Sequence, residues 1–420
     1  MNAAGQANDR LLLRGGHLLD PRQDSLGAPT DILVEDGHVT AMGAGAGVPE
    51  GVEVIDISGL TVMPGLIDAH VHIYMNEANI AALSGVPQTY AAAKSAFMMG
   101  QMLRRGWTTV RDVAGGDYGM RDAVEAGFIA APRLFVGGRA ISQTGGHGDF
   151  RRRTEDECGC CGALPLFSTL ADGVPDVIKA TREQLRLGAD HIKIMLSGGV
   201  ASPYDPLDSI QYRVDEIAAC VEEAERWGAY VCAHAYSDAA IRRAVVNGVR
   251  TIEHGNFIGE ETAGMMAERG AFVVPTLIVH EANVRLGAAS GKSPASMEKN
   301  ERVRVGGLKA LEIYRKAGVQ IGFGTDLSMH TQHFQNDGLV HHAQVLSNAD
   351  VLRSATIVNA RILRQEGRLG ELIPGAIADL LIVRGDPFED IGVLADSNAL
   401  LGIMKNGGFV KRPFKTQSPE

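Results

Sequence analysis

Basic charge is in short supply. The 420 residues carry 40 Lys and Arg against 50 Asp and Glu, a formal net charge of -10 with histidine neutral. A nucleic-acid partner wants a basic surface, and the one dense basic cluster is Arg151–Arg152–Arg153. No apolar run approaches the roughly 20 residues needed to span a bilayer. The opening "MNAAGQANDR" has no apolar core of a signal peptide. Cysteine is sparse at five, an odd number that disfavours a disulfide framework. The reading is a reduced, cytoplasmic protein with neither a nucleic-acid nor a membrane partner. Internal repeats and low-complexity tracts are lacking. So is a G-x-G-x-x-G after an early strand, which leaves a dinucleotide-binding sheet little support.

What is present is ordinary globular material, 45% hydrophobic and 21% charged, long enough for a barrel plus a smaller domain. Residues 10–62 are short β-type runs, with Asp36–Gly37 as a hairpin signal. The tail repeats the style in "ADLLIVRGD" and "LLGIMKNGGFVKR", with Asn406–Gly407 as a second turn. The two β-rich ends can form one small domain. Between them, apolar strand candidates alternate with helical stretches at 62–72, 108–113, 133–142, 191–198, 230–236, 251–255, 272–277 and 320–326. One helix is expected at 214–227, with Val214, Ile217, Ala218 and Val221 at helical spacing. Eight such units predict a closed (β/α)8 barrel, an α/β fold, with an open doubly wound sheet as the alternative. The long segment 143–172 would lie on the catalytic face of such a barrel.

The chemistry gathers at strand ends. In "GLIDAHVH" the side chains of Asp68, His70 and His72 alternate onto one face of a strand. Two imidazoles so spaced can grip one metal ion. His234 lies near the end of the fifth strand, His254 ends the sixth, and Asp326 ends the eighth. A divalent ion such as Zn²⁺ suits imidazole plus carboxylate. Lys193 sits inside the fourth strand, on one face with His191 and Met195. A bare ammonium inside a barrel is costly, and a buried lysine loses its proton readily. The neutral amine can react with CO₂ to give a carbamate able to bridge two metal ions. The alternative is a lysine that reaches the rim or pairs with an acid.

"MPGLIDAHVH", the lysine strand, "AHAY", "IEHG", "GFGTD" and "ELIPGAIADLLIV" together resemble the amidohydrolase superfamily. The resemblance implies a deformed (β/α)8 TIM barrel over 63–365 and a small β-sandwich built from 1–62 and 366–420. It implies two divalent ions, usually Zn²⁺, with Mn²⁺ or Co²⁺ also compatible. His70, His72, carboxylated Lys193 and Asp326 would hold one ion; Lys193, His234 and His254 would hold the other. Asp326 would also shuttle the proton to the leaving nitrogen.

"GWTTVRDVAG", "TGGHGD" and "IKIMLSGGVASP" are similar to the group hydrolysing dipeptides, prolyl peptides and N-acyl amino acids, including ochratoxin-degrading amidohydrolases. That narrower match implies a small-molecule substrate with an amide bond and a free carboxylate, and a homo-oligomeric enzyme. It implies that His147 reaches the scissile carbonyl or the carboxylate, and that Tyr236 helps bind the carboxylate. Arg151, Arg152 and Arg153 are further candidates to anchor the carboxylate, each of which could equally belong to a solvated loop face, and His280 and His330 fall near the rim.

Two stretches depart from the family pattern. The tail reads "TIVNARILRQEGRLG", and "ECGCCG" (Cys158, Cys160, Cys161) lacks paired C-x₂-C spacing, so its cysteines read as reduced loop residues. Three rivals share the barrel. A mononuclear deaminase would put an acid near the strand-five histidine, where only Asp238 is on offer. A lactonase or phosphotriesterase would use the same metals. A scaffold would have lost ligands, and all six candidates are present here.

Overall fold

A computed structural model describes residues 10–43, 51–77, 86–151, 153–155, 167–202 and 204–413. Its centre is a ring of parallel strands: β1 (Leu66–Val71), β2 (Trp107–Asp112), β3 (Arg133–Val136), β4 (Ile192–Met195), β5 (Val231–Ser237), β6 (Thr251–Phe257), β7 (Phe272–Val274) and β8 (Gln320–Ile321). β1 to β3 pair in order, as do β4 to β8. Backbone hydrogen bonds outside the paired ladders close the two gaps. Asp190 N–H donates to the Val136 carbonyl at 2.8 Å, and Ala69 N–H donates to the Phe323 carbonyl at 2.9 Å. The closed (β/α)8 barrel holds, and the open sheet does not.

Two expected strands are each two strands. The run 62–72 breaks at Gly65: Thr61–Pro64 pairs with Leu380–Val383 outside the barrel, and only β1 enters it. A Cβ at Gly65 would lie 2.2 Å from Thr108 Oγ1, so only glycine allows this close approach. The run 133–142 divides into β3 and Ala140–Ser142, which pairs with β4.

The helix Val214–Arg226 forms where expected, but its buried stripe is Ile217, Cys220, Val221 and Ala224. Val214 is exposed. The first turn is held by a capping box in which the Glu216 carboxylate accepts from Arg213 N–H. Glu216 also accepts from Gly173 N–H.

Both chain ends share one eight-stranded sheet, in which Arg10–Leu18 is sandwiched between strands from residues 29–64 and linked through Thr61–Pro64 to the C-terminal strands. Its core mixes the two ends, with Leu13, Ile32 and Val62 against Leu380, Ile382 and Met404. Both expected turns carry positive φ, Asp36 at 47° with Gly37 at 78°, and Asn406 at 51° with Gly407 at 74°. No helix among the described residues is long and apolar enough to cross a membrane.

One buried histidine away from the cavity ties stability to pH. His342 packs on Phe323, ring centroids 5.0 Å apart, with Nδ1 unpartnered. Burial pushes its pKa down to about 3. The unfolded ring takes up a proton first as pH falls. The contribution of this site is therefore intact above about pH 6.5 and erodes toward pH 3. At pH 4.5 the loss is on the order of 3 kcal/mol, from two pH units at about 1.4 kcal/mol each. A His342→Leu variant is expected to reduce the drop in Tm between pH 7.5 and 4.5 by about 3 °C. Equal drops in scanning calorimetry would refute this.

Candidate active site

The C-terminal ends of the barrel strands surround one cavity. His70 and His72 reach it from β1. Asp326 reaches it because its own N–H, and that of Thr325, donate to the His70 carbonyl at 2.8 and 3.2 Å. Asp326 Oδ1 then lies 3.2 Å from His72 Nε2 and 3.6 Å from His70 Nε2. These three ligand atoms all lie within 4.8 Å of one another. Lys193, His234 and His254 line the same cavity. Ring centroids stand 4.9 Å apart for His70 and His254, and 4.5 Å for His234 and His254. Lys193 is 1% exposed, and its Nζ makes no hydrogen bond to a described residue. Burial lowers its pKa, against the pull of Glu253.

Backbone strain falls on the same residues. His254 (φ 74°) and Asp326 (φ 55°) occupy the left-handed region that non-glycine residues rarely adopt. Such strain costs of order 1–3 kcal/mol per residue and concentrates at functional sites.

Each of the four histidines has one nitrogen held by a protein oxygen. His70 Nδ1 meets Glu253 Oε2 at 2.7 Å, and His72 Nδ1 meets the Ala114 carbonyl at 2.9 Å. His254 Nδ1 meets Thr276 Oγ1 at 2.7 Å, and His234 Nε2 meets the Gly198 carbonyl at 3.1 Å. The opposite nitrogen of each ring is left for a ligand. That is the arrangement by which outer groups set the tautomer of metal-binding imidazoles. Burial, then the charge of Lys193, holds His70 down to about 4. Burial also holds His234 and His254 well below their ordinary range, so these rings offer lone pairs at neutral pH. The donor set fits divalent ions.

Sequence reasoning missed the group beneath His70. Glu253 and Arg111 are fully buried, with Arg111 Nη2 donating to Glu253 Oε1 at 2.7 Å and Arg111 Nε to the Ala69 carbonyl at 2.6 Å. Burial alone would raise the Glu253 carboxyl; Arg111 and His70 outweigh it and hold it well below the carboxylate range. The available signal was a charge inside each of two apolar strands, "TTVRDV" and "TIEHG". Asp205 was missed too, because it sits in an irregular segment.

Other expected residues divide. His147, Tyr236 and His280 line the cavity. His147 stacks on His234 at 4.1 Å, and Tyr236 on His254 at 4.9 Å. Asp68 does not line it: its carboxylate accepts from Thr325 N–H (3.1 Å), Thr325 Oγ1 (2.6 Å) and Gln335 Nε2 (3.0 Å). The pairing of β1 with β2 shifts register between Asp68 and Val71, so alternation does not carry through. Arg151 pairs with Asp149 at 2.7 Å, Arg153 lies over the exposed Tyr204 ring, and neither lines the cavity; His330 is exposed. Asp238 accepts from Gly259 N–H at 2.7 Å and does not line the cavity. Arg152, Cys158, Cys160 and Cys161 lie outside the described residues.

A closed parallel barrel with a polar, histidine-rich cavity at its C-terminal rim defines a barrel enzyme. Residues 61–410 match the Amidohydrolase family model, and the chain belongs to that family of amide-bond hydrolases. It is 32% identical over 374 residues to an ochratoxinase of Aspergillus niger, covering 84% of this chain and 76% of that protein. A crystal structure of an amidohydrolase superposes with TM-score 0.93 at 46% identity, covering 96% of this chain and 99% of the other. A prolidase complexed with N-methylphosphonate-L-proline superposes with TM-score 0.93 at 44% identity, covering 96% and 100%.

Proposed function

We propose that the chain is a binuclear metal-dependent hydrolase of dipeptides or N-acyl amino acids with a free C-terminal carboxylate, ochratoxin-type amides included. The observation that carries this is the convergence of His70, His72, Lys193, His234, His254 and Asp326 on one cavity with each imidazole's second nitrogen fixed. The similarity to a prolidase and an ochratoxinase supports the substrate class. His70, His72, carboxylated Lys193 and Asp326 would hold one ion, and Lys193, His234 and His254 the other. Bound divalent ions, Zn²⁺ in the first instance, supply an activated water and polarise the amide carbonyl.

The chain's own side chains do the rest. Asp326 accepts the proton of the attacking water and returns it to the amide nitrogen, which leaves poorly unless protonated. His147 lines the cavity and would reach the scissile carbonyl or the substrate carboxylate. Its Nδ1 is anchored by Ser202 Oγ at 2.7 Å and Asp205 Oδ2 at 3.4 Å, and its backbone N–H donates to Gln211 Oε1 at 2.9 Å. Lys299 Nζ fastens the same loop through the carbonyls of Gly199, Ser202 and Asp205 at 3.1, 2.9 and 2.6 Å. Tyr236, whose pKa burial pushes well above its ordinary value, stays a neutral O–H donor for the substrate.

The test is a panel of dipeptides and N-acyl amino acids, with amino-purines and pyrimidines as controls, assayed on metal-reconstituted protein. Release of free amino acid and about two ions per chain are expected, with uptake of isotope-labelled bicarbonate at Lys193. Activity on the nucleobases alone would overturn the reading.

A further inference from the structure

A carboxylate-bearing substrate needs a cationic or hydrogen-bonding anchor inside the cavity, and neither Arg151 nor Arg153 lines the described cavity wall. We propose that Lys292 is that anchor: its ammonium binds the substrate carboxylate and sets the requirement for a free acid. The proposal rests on the hydrolase reading above.

Lys292 lies between the short turn Gly287–Ser290 and the helix Pro294–Ala317, half-buried, on the cavity wall. It and Lys193 are the only Lys or Arg side chains among the described residues of that wall. Its Nζ has no hydrogen bond or ion pair to a described residue, although its backbone N–H donates to Ser290 Oγ at 3.4 Å. Neighbouring cations are engaged elsewhere. Arg285 pairs with Asp337 at 2.9 Å, and Lys299 donates to three carbonyls. The acid that acts on Lys292 is Asp326. With Asp326 ligating metal, its charge is committed there, and the ammonium is left without a counter-ion in a partly desolvated place.

His280, on the adjacent wall, offers an anion no ring donor. Asn300 Nδ2 donates to the His280 carbonyl at 3.0 Å, and this fixes the Asn300 amide. Its Oδ1 then faces His280 Nδ1 at 3.1 Å and accepts from Asn283 Nδ2 at 3.0 Å. An acceptor at that point means that His280 Nδ1 carries the proton. His280 Nε2, buried and without a partner, therefore presents a lone pair. A carboxylate is repelled at His280 and attracted at Lys292, so the wall orients an acid substrate one way round.

The experiment compares N-acyl amino acids with the same compounds capped as C-terminal carboxamides, on the metal-loaded full chain. Wild type is expected to prefer the free acid. Lys292→Met should lose between about 10- and 100-fold in kcat/KM on the acid, chiefly through KM, with the carboxamide little changed. Binding of the free amino acid product, measured by calorimetry, should weaken by a similar factor, and Lys292→Arg should restore part of both. Metal content and Tm should stay at wild-type values. Should Lys292→Met fold poorly, Lys292→Gln against Lys292→Arg decides on the same ratio. An acid-to-carboxamide ratio unchanged in folded, metal-loaded variants overturns the assignment of Lys292 and leaves the hydrolase reading standing. Wild type inert on every amide overturns both.

Discussion

An Asp326→Asn enzyme is expected to lose about a thousandfold in kcat on amide substrates while retaining much of its metal. The shape argument favours retention. Asn is isosteric, the backbone bonds that place residue 326 against the His70 carbonyl do not involve its side chain, and an amide oxygen can still face His70 and His72. What Asn cannot do is accept a proton. In the metal-free site the charges facing it hold the Asp326 carboxyl well below its ordinary range against the effect of burial, and a bound divalent ion would favour the carboxylate in the same way. An ester, whose leaving oxygen needs no proton to depart, should be cut less severely, and the amide-to-ester ratio should therefore fall. Single-turnover rates with metal analysis on the same sample make the comparison. A kcat within tenfold of wild type at full metal content would remove Asp326 from the proton path.

The fold was legible because barrels repeat. Eight apolar segments alternating with helical stretches, two hairpin signals near the ends and histidines at strand termini are all local patterns, and local patterns survive in a sequence. What failed to show was set across strands. Gly65 is one glycine among 51, and nothing nearby says that Thr108 will leave no room for a Cβ. Asp68 shares the period of His70 and His72, yet a register shift against β2 turns it to Thr325 and Gln335. Lys292 sits in an irregular stretch where neither strand nor helix period gives its direction. The arginine triplet looked like the natural anion site because adjacent charges are conspicuous in text. In three dimensions Arg151 is paired with Asp149 and Arg153 lies on Tyr204.

The Arg111–Glu253 pair shows how such a cross-strand contact can govern the site through one side chain, His70. Both side chains are 0% exposed, and Glu253 also accepts from Thr251 Oγ1 at 2.7 Å. Removing either partner leaves an uncompensated buried charge, which costs roughly 3–5 kcal/mol. Arg111→Met and Glu253→Leu should each lower Tm by about 4 °C or more in a chain of this length.

The sign with pH follows from Glu253, whose folded pKa is depressed. Its contribution is present above about pH 4.5 and is lost as pH falls further. The acid limb of wild-type stability should therefore lose this component in the Arg111→Met protein. Replacing both residues at once removes both charges and should recover most of the stability, since well-packed apolar pairs often match a buried ion pair.

Metal affinity should not recover with it. His70 Nδ1 needs an acceptor to keep its proton and leave Nε2 free, and a leucine side chain in place of Glu253 offers none. A loss of about 10- to 100-fold in affinity is expected in both Glu253→Leu and the double variant. Competition with a chromophoric chelator measures it beside calorimetric Tm. If the double variant binds metal as tightly as wild type, Glu253 supports the barrel and has no hold on His70.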